Sequence, residues 1–106
     1  MSEHYDRKGQ PMDFMEWAKS FKNNELRRVA EDTLPDGKWV STVWLGLNHN
    51  FSQDGPPLIF ETMVFPNDGD MGELDADRYS TEEEALAGHK AMVDKWSHPE
   101  NGQRIE

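Results

Sequence analysis

Two apolar runs decide the fold: WVSTVWLGL at residues 39–47 and LIFETMVF at residues 58–65. Both runs are rich in Val, Ile, Thr, Phe and Trp, the residue types that suit a pleated, partly buried surface. We therefore predict two strands, Trp39 to Leu47 and Leu58 to Phe65, joined by a long connection from Asn48 to Pro57. Neither face of the first strand is plainly polar, so both of its faces need cover.

Two stretches outside these runs predict helices. The pattern DFME at residues 13–16 is a capping box, and aromatic residues then recur at helical spacing, which predicts a helix from about Met12 to Lys22. A second capping box, TEEE at residues 81–84, precedes an apolar stripe and predicts a helix from Glu82 to about Lys95.

The stretch from Leu26 to Leu34 is open to two interpretations. It forms a strand that is hairpinned to the first apolar run through the turn at residues 35–37, or its LRRVAED segment is helical. The acidic segment from Asn67 to Asp77 predicts a loop, followed by a short edge strand around Asp77 to Tyr79. The fold class is then α+β: a small antiparallel sheet of three to four strands packed against one or two helices, in the order α-β-β-β-(β)-α.

Length and composition limit the classes of protein to consider. A chain of 106 residues is long enough for one core, and we expect a flexible arm at 1–11, one domain at 12–96 and a flexible tail at 97–106. The chain has no cysteine, its first residues do not resemble a secretory leader, and no apolar run is long enough to cross a membrane. These features predict a cytoplasmic protein with no membrane partner.

The formal net charge of -10, from 21 acidic and 11 basic side chains, argues against direct binding to nucleic acid. An acidic surface is able to imitate the phosphate array of nucleic acid at the basic groove of another protein, although acidic domains without that role are commoner. We expect the interaction surface to combine a large aromatic side chain, an aromatic residue of the long connection and the acidic segment. Its candidate residues are Trp44, Phe51, Asp68, Asp70, Glu73, Asp75 and Asp77.

Three residues stand out because they are polar or ionisable within apolar or loop surroundings: His49, Glu61 and His89, with Asn48 beside the first. Two imidazoles and a carboxylate are a usual ligand set for zinc or iron, and a buried Glu beside a His is able to act as a general base. The other interpretation is a structural, hydrogen-bonded polar cluster, because the spacing matches no local metal motif. We expect no cofactor.

The blocks STVWLGLNHNF at 41–51, GPPLIFETMVF at 55–65 and RYSTEEEALAGH at 78–89 together resemble a family of small proteins encoded by bacteriophages and prophage regions. The family has no assigned activity, so the resemblance implies no catalytic residues. It does imply expression in the cytoplasm of an infected bacterium.

These observations favour a small acidic phage-type protein that acts by protein–protein interaction with a host or phage protein and inhibits or modulates a host enzyme or defence complex. One alternative is a small metal-dependent or acid/base enzyme that uses His49, Glu61 and His89. Another is a minor virion or assembly component. Aromatic residues on both faces of the first strand leave two arrangements open: an exposed sheet face that binds a partner or forms a homodimer, or a sheet covered on both faces by the two helices.

Overall fold

The computed structural model describes residues 4–50, 55–67, 69–70 and 72–97. The chain is an α+β domain in which a four-stranded antiparallel sheet, in the order β1-β2-β3-β4, is packed against helices, which confirms the predicted fold class. In chain order the elements are α1 (Phe14–Phe21), α2 (Asn24–Arg27), β1 (Arg28–Thr33), β2 (Trp39–Trp44), β3 (Phe60–Phe65), β4 (Asp75–Tyr79) and α3 (Glu82–Ser97). No helix in the described ranges is long and apolar enough to cross a membrane.

The core lies between α3 and one face of the sheet. Because side chains alternate along a strand, Val40 and Trp44 of β2 share this face with Val64 of β3, and all three are buried. The apolar side chains form two clusters, one around Val40 and Met92 and the other around Trp44 and Phe60. Two buried threonines lie on the same face of the sheet and a buried histidine of α3 lies in the same layer, so the core contains a polar patch.

Strand β2 ends earlier than the sequence predicts. The run of mostly apolar residues continues to Leu47, but the strand ends at Trp44. It ends there because Gly46 has a φ of 70°, which interrupts the extended backbone. A side chain at Gly46 would overlap the indole rings of Trp44 and Trp17. The glycine therefore allows α1 to approach the end of β2, where Trp17 Nε1 donates a hydrogen bond to the Leu45 carbonyl oxygen at 3.0 Å.

The ambiguous stretch from Leu26 to Leu34 contains both predicted structures in part. Asn23 caps the short helix α2 by accepting hydrogen bonds from the amides of Glu25 and Leu26. Strand β1 then begins at Arg28 and pairs with β2 through the predicted hairpin. The strand interpretation is correct for residues 28–33, whereas residues 26 and 27 belong to α2.

The C-terminal elements follow the sequence closely. The second capping box forms in both directions: Glu84 N–H donates to Thr81 Oγ1 at 3.1 Å, and Thr81 N–H donates to Glu84 Oε1 at 3.3 Å. Helix α3 extends to Ser97, two residues past the predicted end. The edge strand β4 begins at Asp75, two residues before the predicted start.

Residues 4–11 lie against the domain, although the sequence predicts a flexible arm there. Tyr5 N–H donates to the Gly46 carbonyl oxygen at 2.8 Å, and Trp44 Nε1 donates to the Tyr5 carbonyl oxygen at 3.0 Å. Arg7 forms a bidentate pair with Glu82, with distances of 3.0 and 2.9 Å. Of the predicted tail at 97–106, only Ser97 lies within the described residues, as the last residue of α3.

Candidate functional site

The fold places the three unusual residues of the sequence at different locations. Glu61 lies on the face of β3 opposite to the one that α3 covers, whereas His89 lies on α3. His49 lies in the connection between β2 and β3. Within the described residues, no group of three or more His, Asp or Glu side chains could hold a metal ion. The predicted cluster of His49, Glu61 and His89 is therefore not assembled.

Glu61 has its own partner on the second face of the sheet. The residue is 8% exposed, and its Oε2 accepts a hydrogen bond from Arg78 Nε at 3.0 Å across the β3–β4 pair. A carboxylate in this position needs such a compensating cation, since an unpaired buried charge is strongly unfavourable. The pair links the edge strand β4 to β3, and the Glu61 carboxylate is directed toward Arg78 rather than toward either histidine.

His49 and Asn48 hold the base of the long connection. Asn48 Oδ1 accepts hydrogen bonds from Asn50 N–H at 2.8 Å and from Leu58 N–H at 3.1 Å. His49 N–H donates to the Leu58 carbonyl oxygen at 2.9 Å, and its Nδ1 bonds to the Leu47 carbonyl oxygen at 2.8 Å. These bonds replace the strand ladder where β2 ends, so both side chains have a structural role here.

His89 is the centre of a buried polar network. Its Nε2 lies 2.7 Å from Asp32 Oδ2, and its Nδ1 lies 2.7 Å from Thr42 Oγ1. Thr42 Oγ1 in turn lies 2.5 Å from Thr62 Oγ1. Because an ionised carboxylate only accepts, Nε2 carries a proton, and in the neutral imidazole the threonine hydroxyls donate toward Nδ1. The network joins β1, β2, β3 and α3 across the middle of the core.

The order carboxylate, imidazole, hydroxyl is that of a nucleophilic triad, with Asp32, His89 and Thr42 in the three positions. Thr42 is wholly buried, however, with an exposed fraction of 0%, so its hydroxyl group has no access to a substrate. The arrangement satisfies buried polar groups and does not form a nucleophile site. No local sequence pattern could have identified Asp32 and Thr42, since each lies far from His89 along the chain.

Tyr79 lies at the other edge of the sheet, on the same face as Thr62. Burial raises the pKa of Tyr79 above its ordinary value of 10.0, although the Thr62 side chain acts in the opposite direction. Gly88 of α3 lies directly over the Tyr79 ring, where a Cβ atom would overlap it. This close approach sets the distance between α3 and β4.

A shallow groove of about 260 Å³ lies at the exposed end of the network, and its lining residues are Asp32, His89, Lys90, Val93, Asp94 and Ser97. The imidazole is already engaged on both nitrogens, so it presents no free donor or acceptor to a ligand in this groove. The groove is thus a surface depression beside a structural network.

The acidic candidates divide into two groups. Asp75 accepts hydrogen bonds from Lys95 Nζ at 2.8 Å and from Trp96 Nε1 at 3.0 Å, which anchor the end of α3. Burial opposes ionisation of Asp75, but these hydrogen bonds outweigh it, so the pKa of its carboxyl group is lowered. By contrast, Asp70, Glu73 and Asp77 are exposed and form no ion pair with any described residue. The predicted candidates Phe51 and Asp68 lie outside the described residues.

The sequence did not identify Leu74 as a candidate, although it lies between two acidic residues. Its side chain is 44% exposed, while its N–H donates to the Val64 carbonyl oxygen at 2.6 Å. The backbone bond to β3 fixes the position of an apolar side chain that faces solvent. We call Asp70, Glu73, Leu74 and Asp77 the acidic edge.

The interaction surface predicted at Trp44 is wrong. Its side chain is 2% exposed and packs with Ile59, Phe60 and Ala85, partly covered by Tyr5. The strand alternation correctly puts Trp39 on the opposite face, where it is partly exposed and stacks on Phe65 with a centroid distance of 5.3 Å.

The second face of the sheet, which lies opposite the face that α3 covers, carries partly exposed apolar residues and charged residues that pair with each other. Val43 and Met63 are partly exposed there, and the flanking side chains form the ion pairs Arg28–Glu31, at 2.7 Å, and Arg78–Glu61. Each acidic side chain of this face is thus matched by an arginine.

A comparison of the chain with protein-family models, with curated proteins and with solved structures finds no match.

Proposed function

We propose that this protein acts by binding another protein through the acidic edge, as a phage-type protein that modulates a host enzyme or defence complex in the bacterial cytoplasm. The observation that carries the proposal is Leu74, an exposed leucine that is fixed by a backbone bond at 2.6 Å. It lies in the segment 70–77, whose exposed residues Asp70, Glu73 and Asp77 form no ion pair with any described residue. An apolar anchor within a polar rim is the usual arrangement of a protein-binding surface.

Charge supports a basic partner. The chain has a formal net charge of -10, and the carboxylates of Asp70, Glu73 and Asp77 have no cation beside them among the described residues. Such rim charges steer association with a surface of opposite sign and increase the association rate more than the final affinity. The resemblance to phage and prophage proteins supports a partner inside the infected bacterium.

The second face of the sheet supports a homodimer as another mode of binding. Trp39, Val43 and Met63 are partly exposed on it, and its two ion pairs leave the face without net charge. On a chain of net charge -10, such a face lets a second copy approach with little repulsion.

Affinity capture tests the proposal. The tagged full-length chain is incubated with bacterial lysate, and co-purifying proteins are identified by mass spectrometry against a tag-only control. We expect one host protein in stoichiometric amount, with capture that weakens as salt is raised, because the rim charges are screened. Equal recovery on the tag-only control would contradict the proposal.

A further inference from the structure

The two edge strands of the sheet, β1 and β4, differ in whether side chains form hydrogen bonds with their outward-facing backbone amides. Hydrogen bonds in an antiparallel pair alternate, so every second residue of an edge strand directs its N–H and C=O away from the sheet. Leu34 N–H bonds to the Lys38 carbonyl oxygen at 2.7 Å in the β1–β2 hairpin, and the same register continues through Asp32 and Val40. The outward residues of β1 are therefore Glu31 and Thr33.

At the β4 edge the outward amides are capped. Ala76 N–H bonds to Asp75 Oδ1 at 2.9 Å, and Arg78 N–H bonds to Asp77 Oδ1, also at 2.9 Å. Side chains that occupy edge amides protect a sheet against further strand pairing. The two aspartates of β4 thus close this edge.

At the β1 edge the acidic side chains are directed elsewhere. Glu31 bonds to Trp39 Nε1 at 3.0 Å and to Arg28, on one face, and Asp32 bonds to His89 on the other face. Residues 31–33 are all exposed, and no described residue caps the amides of Glu31 and Thr33. The β-bulge between Arg28 and Ala30 limits the regular open edge to residues 30–33.

We propose that β1 binds an extended segment of a basic partner protein by strand addition. Backbone groups of Glu31 and Thr33 would supply the hydrogen bonds, as in other cases of β-augmentation. Successive side chains of the added strand point to opposite faces. One of two successive basic residues would therefore meet the carboxylate of Asp32, whose side chain is 56% exposed, and the other would lie beside the Glu31–Arg28 pair on the opposite face. The proposal rests on protein binding as the function, but it concerns a surface separate from the acidic edge.

The test uses the full-length chain and labelled synthetic peptides. The first peptide alternates Val and Thr around a central Lys-Lys pair, and the second is identical but N-methylated at the amides that would face β1. We expect the methylated peptide to bind at least about tenfold more weakly, because the lost hydrogen bonds are each worth about 1 kcal/mol. Equal binding of the two peptides, or no binding of the first, would overturn the proposal.

A protein variant locates the contact. Thr33→Pro removes an outward amide and no bond to β2, so the sheet is retained, and Thr33→Val is the control that keeps the amide. We expect Thr33→Pro to weaken binding of the first peptide about fivefold and Thr33→Val to leave it unchanged. Slowed amide exchange at Glu31 and Thr33 on peptide addition gives the same information without a variant. Protection at β4 instead would refute strand addition at β1, while unchanged lysate capture by Thr33→Pro would leave the proposed function in place.

Discussion

His89 and Asp32 are joined side chain to side chain at 2.7 Å, and this contact connects α3 to the edge strand β1. His89 is 4% exposed, whereas the Asp32 side chain is 56% exposed, so the pair runs from the core to the surface. The two partners therefore contribute unequally to stability, since solvent screens the contact at one end only.

We expect His89→Ala to lower the free energy of unfolding by about 3 kcal/mol, because it leaves a cavity and removes a partner of the buried Thr42 hydroxyl group. Asp32→Ala should cost roughly 1 kcal/mol or less, since its carboxylate is largely solvated. Urea unfolding of both variants and of the double variant measures these values and their coupling. An equal loss of unfolding free energy in the two single variants would contradict the conclusion that His89 is buried and Asp32 is largely solvated.

Asp75 predicts a dependence of stability on pH. Its pKa is lowered in the folded protein, so its contribution is fully present above the ordinary value of 3.8 and is lost as pH falls through the folded value. We expect Asp75→Asn to destabilise the protein at neutral pH by roughly 0.5–1 kcal/mol, with a difference that shrinks below about pH 4. Asp70→Asn, which removes no ion pair, is the matched control. A pH-independent effect of Asp75→Asn would contradict the role of the carboxylate charge.

At Gly88 we expect alanine to change the stability of the protein in the direction opposite to the one that helix propensity predicts. Alanine favours a helix over glycine by about 1 kcal/mol, but a Cβ atom at this position overlaps the Tyr79 ring. We expect Gly88→Ala to destabilise the protein by roughly 2 kcal/mol, as measured by thermal melting. In a Tyr79→Leu background the ring is absent and the same change should cost much less. A stabilising Gly88→Ala in the natural chain would show that α3 lies farther from β4.

The second sheet face predicts the oligomeric state. If two copies pack through this face, Met63→Glu places a charge in the interface and should give a monomer in sedimentation equilibrium, where the natural chain gives a dimer. Met15→Glu is the matched control, because Met15 is 67% exposed on α1 and lies outside the proposed interface. A natural chain that sediments as a monomer at all concentrations would reject the homodimer.

The sequence allowed the correct prediction of elements whose signals are local. The capping box at Thr81 and the β-branched residues of β2 and β3 are properties of neighbouring residues, and each produced the expected element. The end of β2 was missed because Leu45 and Leu47 continue the apolar pattern. The positive φ at Gly46 is required by its contacts with Trp17 and Trp44, which only the folded chain brings together.

The candidate site shows the same limit. Glu61 and His89 were recognised as unusual, but the sequence could not show that β3 and α3 direct them to opposite sides of the sheet. Their partners Arg78 and Asp32 are far along the chain, so no spacing rule connects them. The roles of Asp75 and Asp77 as caps of edge amides depend on strand register, which composition does not specify.

The most direct test of the central claim is quantitative capture from lysate by two variants with equal charge. The acidic-edge variant carries Asp70→Asn, Glu73→Gln and Asp77→Asn, and the control carries Glu16→Gln, Glu25→Gln and Glu83→Gln at other exposed sites. At about 0.5 kcal/mol for each rim charge, we expect the first variant to bind the captured partner roughly tenfold more weakly, while the control keeps its affinity. Equal weakening of both would mean that net charge alone drives association, and unchanged capture by the first would contradict binding through the acidic edge.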